Sequence, residues 1–466
     1  MHLHTLVASS LLASAAALKL PQKHSPQTHS RVRPRDLSIR QNSNTTAHTI
    51  ELSATLFGNR FHAPVTIGGE TFNLLVDTGS SDTFVIEDDF ECASPSTYGG
   101  DFIEVDQSFC GYATGSYSIA ESDSFDPIPG ETFQAAYAAG VARGVMAFED
   151  IELGGVTVTD QRFGLVNWST PINVGASGVL GLAYPPITSA YELNGTIDED
   201  DLNYQGEEHP YNPLFVNMYR RGLVAPYFSL ALDRLPSDQE SGSGGVMVLG
   251  GLPDVNLTSN WTTVPAEYYE DAEFRSPNGT KLHSYWATTV EHLSWGDDGT
   301  YSESYQTIVD TGAPISSVPE SVAEAYNDLF EPSAVWSSVQ GGYIVDCDSK
   351  APPFSVQVGG TTFELNADDM IIHTGLDYNS DSKLCLSAIS PGLEMVMDEN
   401  DPTNTTELFI LGASFLKGVV SVFDFGESEM RFAKRDVEGA AAALEVLGCG
   451  RLLVVVAVVA LFEGIF

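Results

Sequence analysis

Basic residues are scarce in this 466-residue chain: 21 Lys and Arg stand against 63 Asp and Glu, a formal net charge of −42 at pH 7. Neutralising phosphates takes clustered cations, so nucleic-acid binding is excluded. The longest unbroken apolar run covers eleven residues, 452–462, too few to cross a bilayer as a helix. None of the ten histidines falls at His-x-x-x-His spacing, and no Gly-x-Ser-x-Gly elbow stands between a strand and a helix. No metal or cofactor is therefore expected, and a serine hydrolase is disfavoured. Cysteine is limited to five residues: Cys92, Cys110, Cys347, Cys385 and Cys449. What the chain does have is 43% hydrophobic and 10% aromatic residues, too many for a disordered acidic protein. Such an acidic surface repels itself at neutral pH and relaxes as carboxylates protonate, which points to work in acid.

The two ends differ from the body. Residues 1–17 read as a secretory signal, with a largely apolar run and Ala15-Ala16-Ala17 for cleavage. Residues 18–48 read as a propeptide: the first 48 residues carry +5 and the rest −47. Opposite charge would let this leader act as an intramolecular inhibitor of its own body. At the other end, small residues, a spacer and a short apolar terminus within 434–466 form the layout of a GPI-anchor signal, with a plain amphipathic helix as the alternative. That anchor would attach the protein to a membrane or cell wall. An odd cysteine count is awkward in a secreted chain, but Cys449 lies in the segment such processing removes. The other four can pair locally as Cys92–Cys110 and Cys347–Cys385, although the sequence alone permits other pairings. Seven sequons, at Asn44, Asn167, Asn194, Asn256, Asn260, Asn278 and Asn404, are glycosylation candidates.

Between residues 49 and 433 short alternating or apolar runs are punctuated by Gly, Asn and Pro, so the class is mainly β. Helices are expected only over residues 213–222 and 319–330, where proline starts and cations, glycine or acids mark the ends. The body also repeats. An apolar strand runs into Asp77-Thr78-Gly79 and again into Asp310-Thr311-Gly312, and each is followed about 100 residues later by an apolar pair and glycine, Val179-Leu180-Gly181 and Ile410-Leu411-Gly412. A strand ending in Asp sets a carboxylate at the rim of a dry core, and the glycine lets backbone approach closely. If the two turns face each other, Asp77 and Asp310 cannot both ionise easily and share a proton. One can then take a proton from water while the other donates one to a carbonyl, which is amide hydrolysis without a covalent intermediate. The acidic run Asp198-Glu199-Asp200-Asp201 lacks the spacing of a calcium loop and is read as a solvated insertion.

These motifs resemble those of the pepsin-like aspartic proteases, over roughly residues 55–433. The resemblance implies a bilobal fold, with two β-barrel-like lobes (49–235 and 236–433), a central cleft and a flap hairpin. It further implies an aspartic endopeptidase, secreted as an acid-activated zymogen, that cuts polypeptide substrates as a monomer. Asp77 and Asp310 would be catalytic, with Thr78, Gly79, Ser80, Thr311 and Gly312 supporting the two turns. Residues 133–140 are similar to the flap, with Tyr137 and Gly140 as substrate contacts. Residues 230–251 and 419–433 look like strands of the sheet joining the lobes, and Cys347–Cys385 falls where the family has its C-lobe disulfide. The signal, basic leader and anchor layout resemble the fungal secreted and cell-surface, yapsin-like branch, which implies a preference for Lys or Arg. Three departures stand out. Phe84 replaces the usual Trp and cannot donate to the Tyr137 hydroxyl. Ala138-Ala139-Gly140 replaces Gly-Thr-Gly in the flap. Ala313-Pro314 replaces a Ser/Thr pair, so a hydroxyl that supports the second Asp is missing. The alternative function is a non-catalytic binding protein on this scaffold at the cell surface; keeping both aspartates and both glycines argues against it.

Overall fold

A computed structural model describes residues 46–95, 102–112, 115–137, 139–172, 175–192, 207–271, 273–338, 340–379, 382–396 and 405–435. The signal, most of the leader, the acidic run 198–201, the tail beyond Arg435 with Cys449, and the sequons at Asn44, Asn194 and Asn404 lie outside the described residues.

The alternation read in the sequence becomes strands with one dry face. In β1 (His48–Thr55) Ile50, Leu52 and Ala54 are buried while Thr49, Glu51 and Ser53 stay more open. It pairs antiparallel with β2 (Arg60–Ile67), which pairs with β3 (Glu70–Asp77). The inner half of β3, Leu74-Leu75-Val76-Asp77, is buried on both faces, as an apolar run without alternation requires. Next come β4 (Thr83–Pro95), β5 (Phe102–Val105), the long hairpin of β6 (Asp126–Tyr137) and β7 (Gly140–Leu153), β8 (Val156–Ser169) and β9 (Gly178–Gly181). All lie in a single hydrogen-bonded network of 16 strands. The second lobe has its own eight-stranded sheet, which includes Ala287–Trp295 and Tyr305–Val309. The result is the mainly β, bilobal architecture with a flap hairpin that the motifs implied.

The lobes are joined by strand pairing rather than by a hinge alone. Strand Tyr227–Leu232 pairs on one side with Gly242–Leu249 and on the other with Val419–Asp424, which pairs in turn with Glu429–Lys434. Gly242–Leu249 also pairs with β1. Strands from the beginning, middle and end of the chain therefore form one floor; Gly242–Leu249 and Val419–Asp424 fall in the two stretches expected to join the lobes, whereas β1 and the start of Tyr227–Leu232 lie outside them. Phe228 stacks on Phe423 across it at 5.0 Å, and Trp286 meets Phe423 edge-on at 5.3 Å, ring contacts that add to area burial.

Helices fall where they were expected, as α1 (Leu214–Arg220) and α2 (Glu320–Asn327), each entered through a proline. A third short helix, α3 (Ala413–Leu416), follows Ile410-Leu411-Gly412 and was not anticipated. It is one turn long and buried throughout, so it carries no amphipathic period to read. Cys92 is bonded to Cys110, and Cys347 to Cys385. Asn167, Asn256, Asn260 and Asn278 are all exposed. No helix among the described residues is long and apolar enough to cross a membrane.

Candidate active site

Each half of the sequence repeat builds the same local device. Strand β3 lies parallel to β9, pairing Val76 with Leu180 and Asp77 with Gly181. Tyr305–Val309 lies parallel to Ile410–Leu411, pairing Val309 with Leu411. Each apolar-Gly segment thus flanks the strand that delivers an aspartate. Backbone bonds fix the turn heads: the Leu182 N–H donates to the Asp77 carbonyl at 2.8 Å, and the Asp310 N–H to the Leu411 carbonyl at 3.0 Å.

The two turns meet head to head. The Thr78 hydroxyl donates to the Val309 carbonyl at 2.8 Å and accepts the Thr311 N–H at 3.0 Å. Reciprocally, the Thr311 hydroxyl donates to the Val76 carbonyl at 2.7 Å and accepts the Thr78 N–H at 3.1 Å. Four buried hydrogen bonds therefore cross between residues some 230 positions apart, and each threonine uses its hydroxyl as donor and acceptor at once. This interlock brings Asp77 and Asp310, each 1% exposed, face to face.

The need for glycine at 79 and 312 is steric. A Cβ on Gly79 would overlap the Asp310 carboxyl, and one on Gly312 would come within 2.6 Å of Asp77 Oδ1. Both instead turn their N–H groups inward, Gly79 to Asp77 Oδ1 at 2.9 Å and Gly312 to Asp310 Oδ1 at 2.7 Å. The symmetry breaks one residue later. The Ser80 hydroxyl donates to Asp77 Oδ2 at 2.5 Å, whereas Ala313 has no hydroxyl to offer Asp310. Burial pushes Asp310 well above the usual carboxylate range, followed by repulsion from Asp77 and by a side-chain hydrogen bond between the two acids. The Gly312 N–H and the Arg60 charge oppose this more weakly. Asp77 thus accepts hydrogen bonds from Ser80 and Gly79, beside an Asp310 whose surroundings favour its protonated form.

The β6–β7 hairpin turns between Tyr137 and Gly140. It sets Tyr137 half-buried beside Ser80 and the Asp77 carboxylate. Among the described residues the Tyr137 hydroxyl has no hydrogen bond of ordinary geometry, with Ser80 its polar neighbour, and Phe84 has no indole donor to offer it. Phe84 keeps the packing part of that position, meeting Tyr137 at 6.2 Å and Phe133 at 5.5 Å between ring centres. Gly140, at the turn of the hairpin, lies against Thr170 and Pro171. There the Thr170 hydroxyl accepts the Val141 N–H at 2.8 Å.

Two further groups belong to the site, and sequence reasoning missed both. Asp82, 2% exposed, accepts the Ser189 N–H on both oxygens at 3.0 Å and the Tyr211 hydroxyl at 2.7 Å. Burial raises its carboxyl to about 6 against the opposing pull of those bonds. An acid set in Ser81-Asp82-Thr83-Phe84-Val85, directly ahead of an apolar strand, was the available signal. Arg60, 3% exposed, donates from Nη1 to the Gly312 carbonyl. A rare cation opening an apolar strand was the signal there. Among the described residues, the grouping of Cys347, His373 and Cys385 has metal-ligand types, but its two sulfurs are bonded to each other.

Comparison with known proteins agrees with this geometry. The family model of the eukaryotic aspartyl proteases matches residues 60–435. A probable aspartic-type endopeptidase of Aspergillus fumigatus is 32% identical over 400 residues, covering 85% of this chain and 83% of that protein. Human gastricsin is 26% identical over 374 residues, with 78% of each covered. The crystal structure of the aspartic proteinase from Irpex lacteus superposes with a TM-score of 0.60 at 19% identity, covering 84% of this chain and 98% of that one. The chain belongs to the eukaryotic aspartyl protease family, and it is an aspartic-type endopeptidase.

Proposed function

We propose that Asp77 and Asp310 are the catalytic pair, and that peptide bonds are cut by water activated between them. The observation that carries this reading is the head-to-head contact of the two Asp-Thr-Gly turns, with Asp77 accepting from Ser80 and Gly79 and Asp310 pushed well above the usual carboxylate range by burial and by its neighbour. Asp77 takes a proton from water as the oxygen attacks the amide carbon, and Asp310 passes its proton to the carbonyl oxygen. The resulting gem-diol collapses: one hydroxyl proton returns to Asp310 as the carbonyl re-forms, the C–N bond breaks as the nitrogen takes the proton from Asp77, and an acid and an amine leave. Neither carboxylate bonds to the substrate. Tyr137 and Gly140, on the hairpin, are assigned to substrate contact and exclusion of water.

Charge supports a zymogen. The leader to residue 48 carries +5 against −47 for the remainder, so it is held at neutral pH and loosened as carboxylates protonate near about pH 4. We assign the protein to the secretory route, as a monomer whose C-terminal tail, cleaved among the small residues 439–443, is exchanged for a glycolipid anchor at the cell surface; release by a phosphatidylinositol-specific phospholipase tests the anchor. The decisive experiment measures peptide cleavage across about pH 3–6, at low and high salt, for the natural chain and for Asp77→Asn. The expected result is cleavage that Asp77→Asn abolishes and a statine-type inhibitor blocks. Cleavage surviving that substitution would overturn the assignment, and absence of cleavage by the natural chain would favour a binding protein.

A further inference from the structure

A single turn of the first lobe is clamped onto the second. Between β1 and β2, Leu56, Phe57 and Gly58 take positive φ in succession, at 50°, 55° and 78°. For Leu and Phe this left-handed conformation is sterically costly, and such strain persists only where surrounding contacts enforce it. The contacts here come largely from far along the chain. The Phe57 N–H donates to the Glu240 carbonyl at 3.0 Å, and its ring meets His373 at 5.9 Å. Asn59 Oδ1 accepts from Lys417 Nζ at 3.0 Å; that ammonium is itself buried and paired with Asp369 at 3.0 Å.

The residue this clamp presents is Arg60. Its guanidinium is taken out of water and donates to the Gly312 carbonyl, and its Nε has no partner among the described residues. It makes no ion pair within bonding distance among the described residues, yet it faces both Asp310 and Asp77. Burying an arginine this way is unfavourable unless nearby negative charge compensates it. Gly312 is also the residue whose N–H donates to Asp310, so the guanidinium is seated on the same turn that holds that carboxyl. Meanwhile Ala313, buried next in sequence, provides no side-chain donor.

We propose that Arg60 is a positioning residue for the aspartate pair, supplying to the second turn from the opposite lobe, by charge, the support that Ala313 cannot give by hydrogen bonding. The inference rests on the reading of Asp77 and Asp310 as the catalytic pair. The other titratable groups that face the pair are Tyr137 from the flap and Tyr285, which precedes Ala287–Trp295; burial pushes both phenols up, so they stay neutral in acid. Arg60 is then the cation acting on the pair from the described elements around it. Its charge favours the carboxylate form and draws both apparent pKa values of the pair downward.

The test is the pH profile of kcat/KM on one peptide substrate for Arg60→Met, Arg60→Gln, Arg60→Lys, and Arg60→Met combined with Ala313→Ser, beside the natural chain and Asp77→Asn. Removing the charge is expected to move both limbs up by about one pH unit. Arg60→Lys should hold them within a few tenths of a unit, and the added serine should bring the acid limb back down. Arg60→Gln keeps a donor for the Gly312 carbonyl, so a shift there separates charge from hydrogen bonding. Should Arg60→Met fail to fold, the glutamine variant gives the same reading, and the pH dependence of statine-inhibitor binding reports the same protonations without turnover. Activity that falls equally at every pH, with both limbs unmoved, would overturn the proposal and leave Arg60 a structural residue. Asp77→Asn keeps the two failures apart: if that variant still cleaves, the catalytic assignment is wrong whatever Arg60 does.

Discussion

Replacing Asp82 by asparagine isolates one buried carboxyl as a source of acid stability. In the folded chain Asp82 is 2% exposed and its pKa is raised from 3.8 to about 6, with burial the largest cause. The native state therefore holds this proton more tightly than the unfolded chain does. Its contribution to stability is complete below about pH 4 and is lost as pH rises through about 6, levelling off above that. A difference of about two units corresponds to roughly 3 kcal/mol in total, most of it lost between about pH 4 and 7. Asparagine keeps an oxygen for the Ser189 N–H and the Tyr211 hydroxyl, and it cannot ionise. Its amide brings a buried donor that costs about 1–3 kcal/mol, but that cost is the same at every pH. The comparison is therefore between slopes. Urea midpoints would be measured from about pH 4 to 7 for the parent chain and for Asp82→Asn, both in an Asp77→Asn background to stop self-digestion. The Asp82→Asn chain should lose roughly 2–3 kcal/mol less than its parent over that range. Parallel slopes would mean that Asp82 titrates alike in both states, and the argument from burial would fail.

Two other substitutions probe the interlock and its asymmetry. Thr78→Val removes a hydroxyl that serves the Val309 carbonyl and the Thr311 N–H, leaving both buried and unpaired; a loss of about 2–4 kcal/mol is expected. Thr311→Val should behave alike, and the double variant should lose less than the sum, because the two residues share one network; strictly additive denaturation midpoints would count against a shared interlock. Ala313→Ser offers Asp310 the hydroxyl that Ser80 gives Asp77, which favours ionisation. The acid limb and the optimum of the pH–activity profile should move down by up to about one unit; superimposable profiles would refute this.

Much of the site was legible because its chemistry is local in sequence. A strand ending in Asp-Thr-Gly, written twice, is enough to place two turns, and the apolar-Gly segments pair beside them because parallel pairing needs such a long crossover. The missing serine at Ala313 and the missing indole at Phe84 were readable for the same reason. Arg60 and Asp82 were not, since their roles depend on partners far along the chain: the Gly312 carbonyl 252 positions away for one, and Tyr211, 129 positions away, for the other. A charged residue at the end of an apolar strand looks like a solvated edge until tertiary structure encloses it. The one-turn α3 was hidden because its residues are uniformly buried, so no period separates it from a strand. The preference for Lys or Arg came from the resemblance to the yapsin-like branch, and counting charges along the chain gave no sign of Arg60, a cation beside the pair.

The shared floor of strands also governs when the protein can begin to work. Its central strand, Tyr227–Leu232, gains one neighbour only when Val419–Asp424 has been made, and the Thr78–Thr311 interlock joins residues more than about 200 positions apart. Contacts of such span form late and slowly, because the intervening chain must be closed first. During synthesis from the amino end, the first aspartate turn therefore waits through about half of translation for the second, and the floor beneath both waits for almost the last strand. A nascent chain of this enzyme carries one aspartate turn without the other for that whole interval. The order of strands in the floor thus delays activity until the full domain has been made.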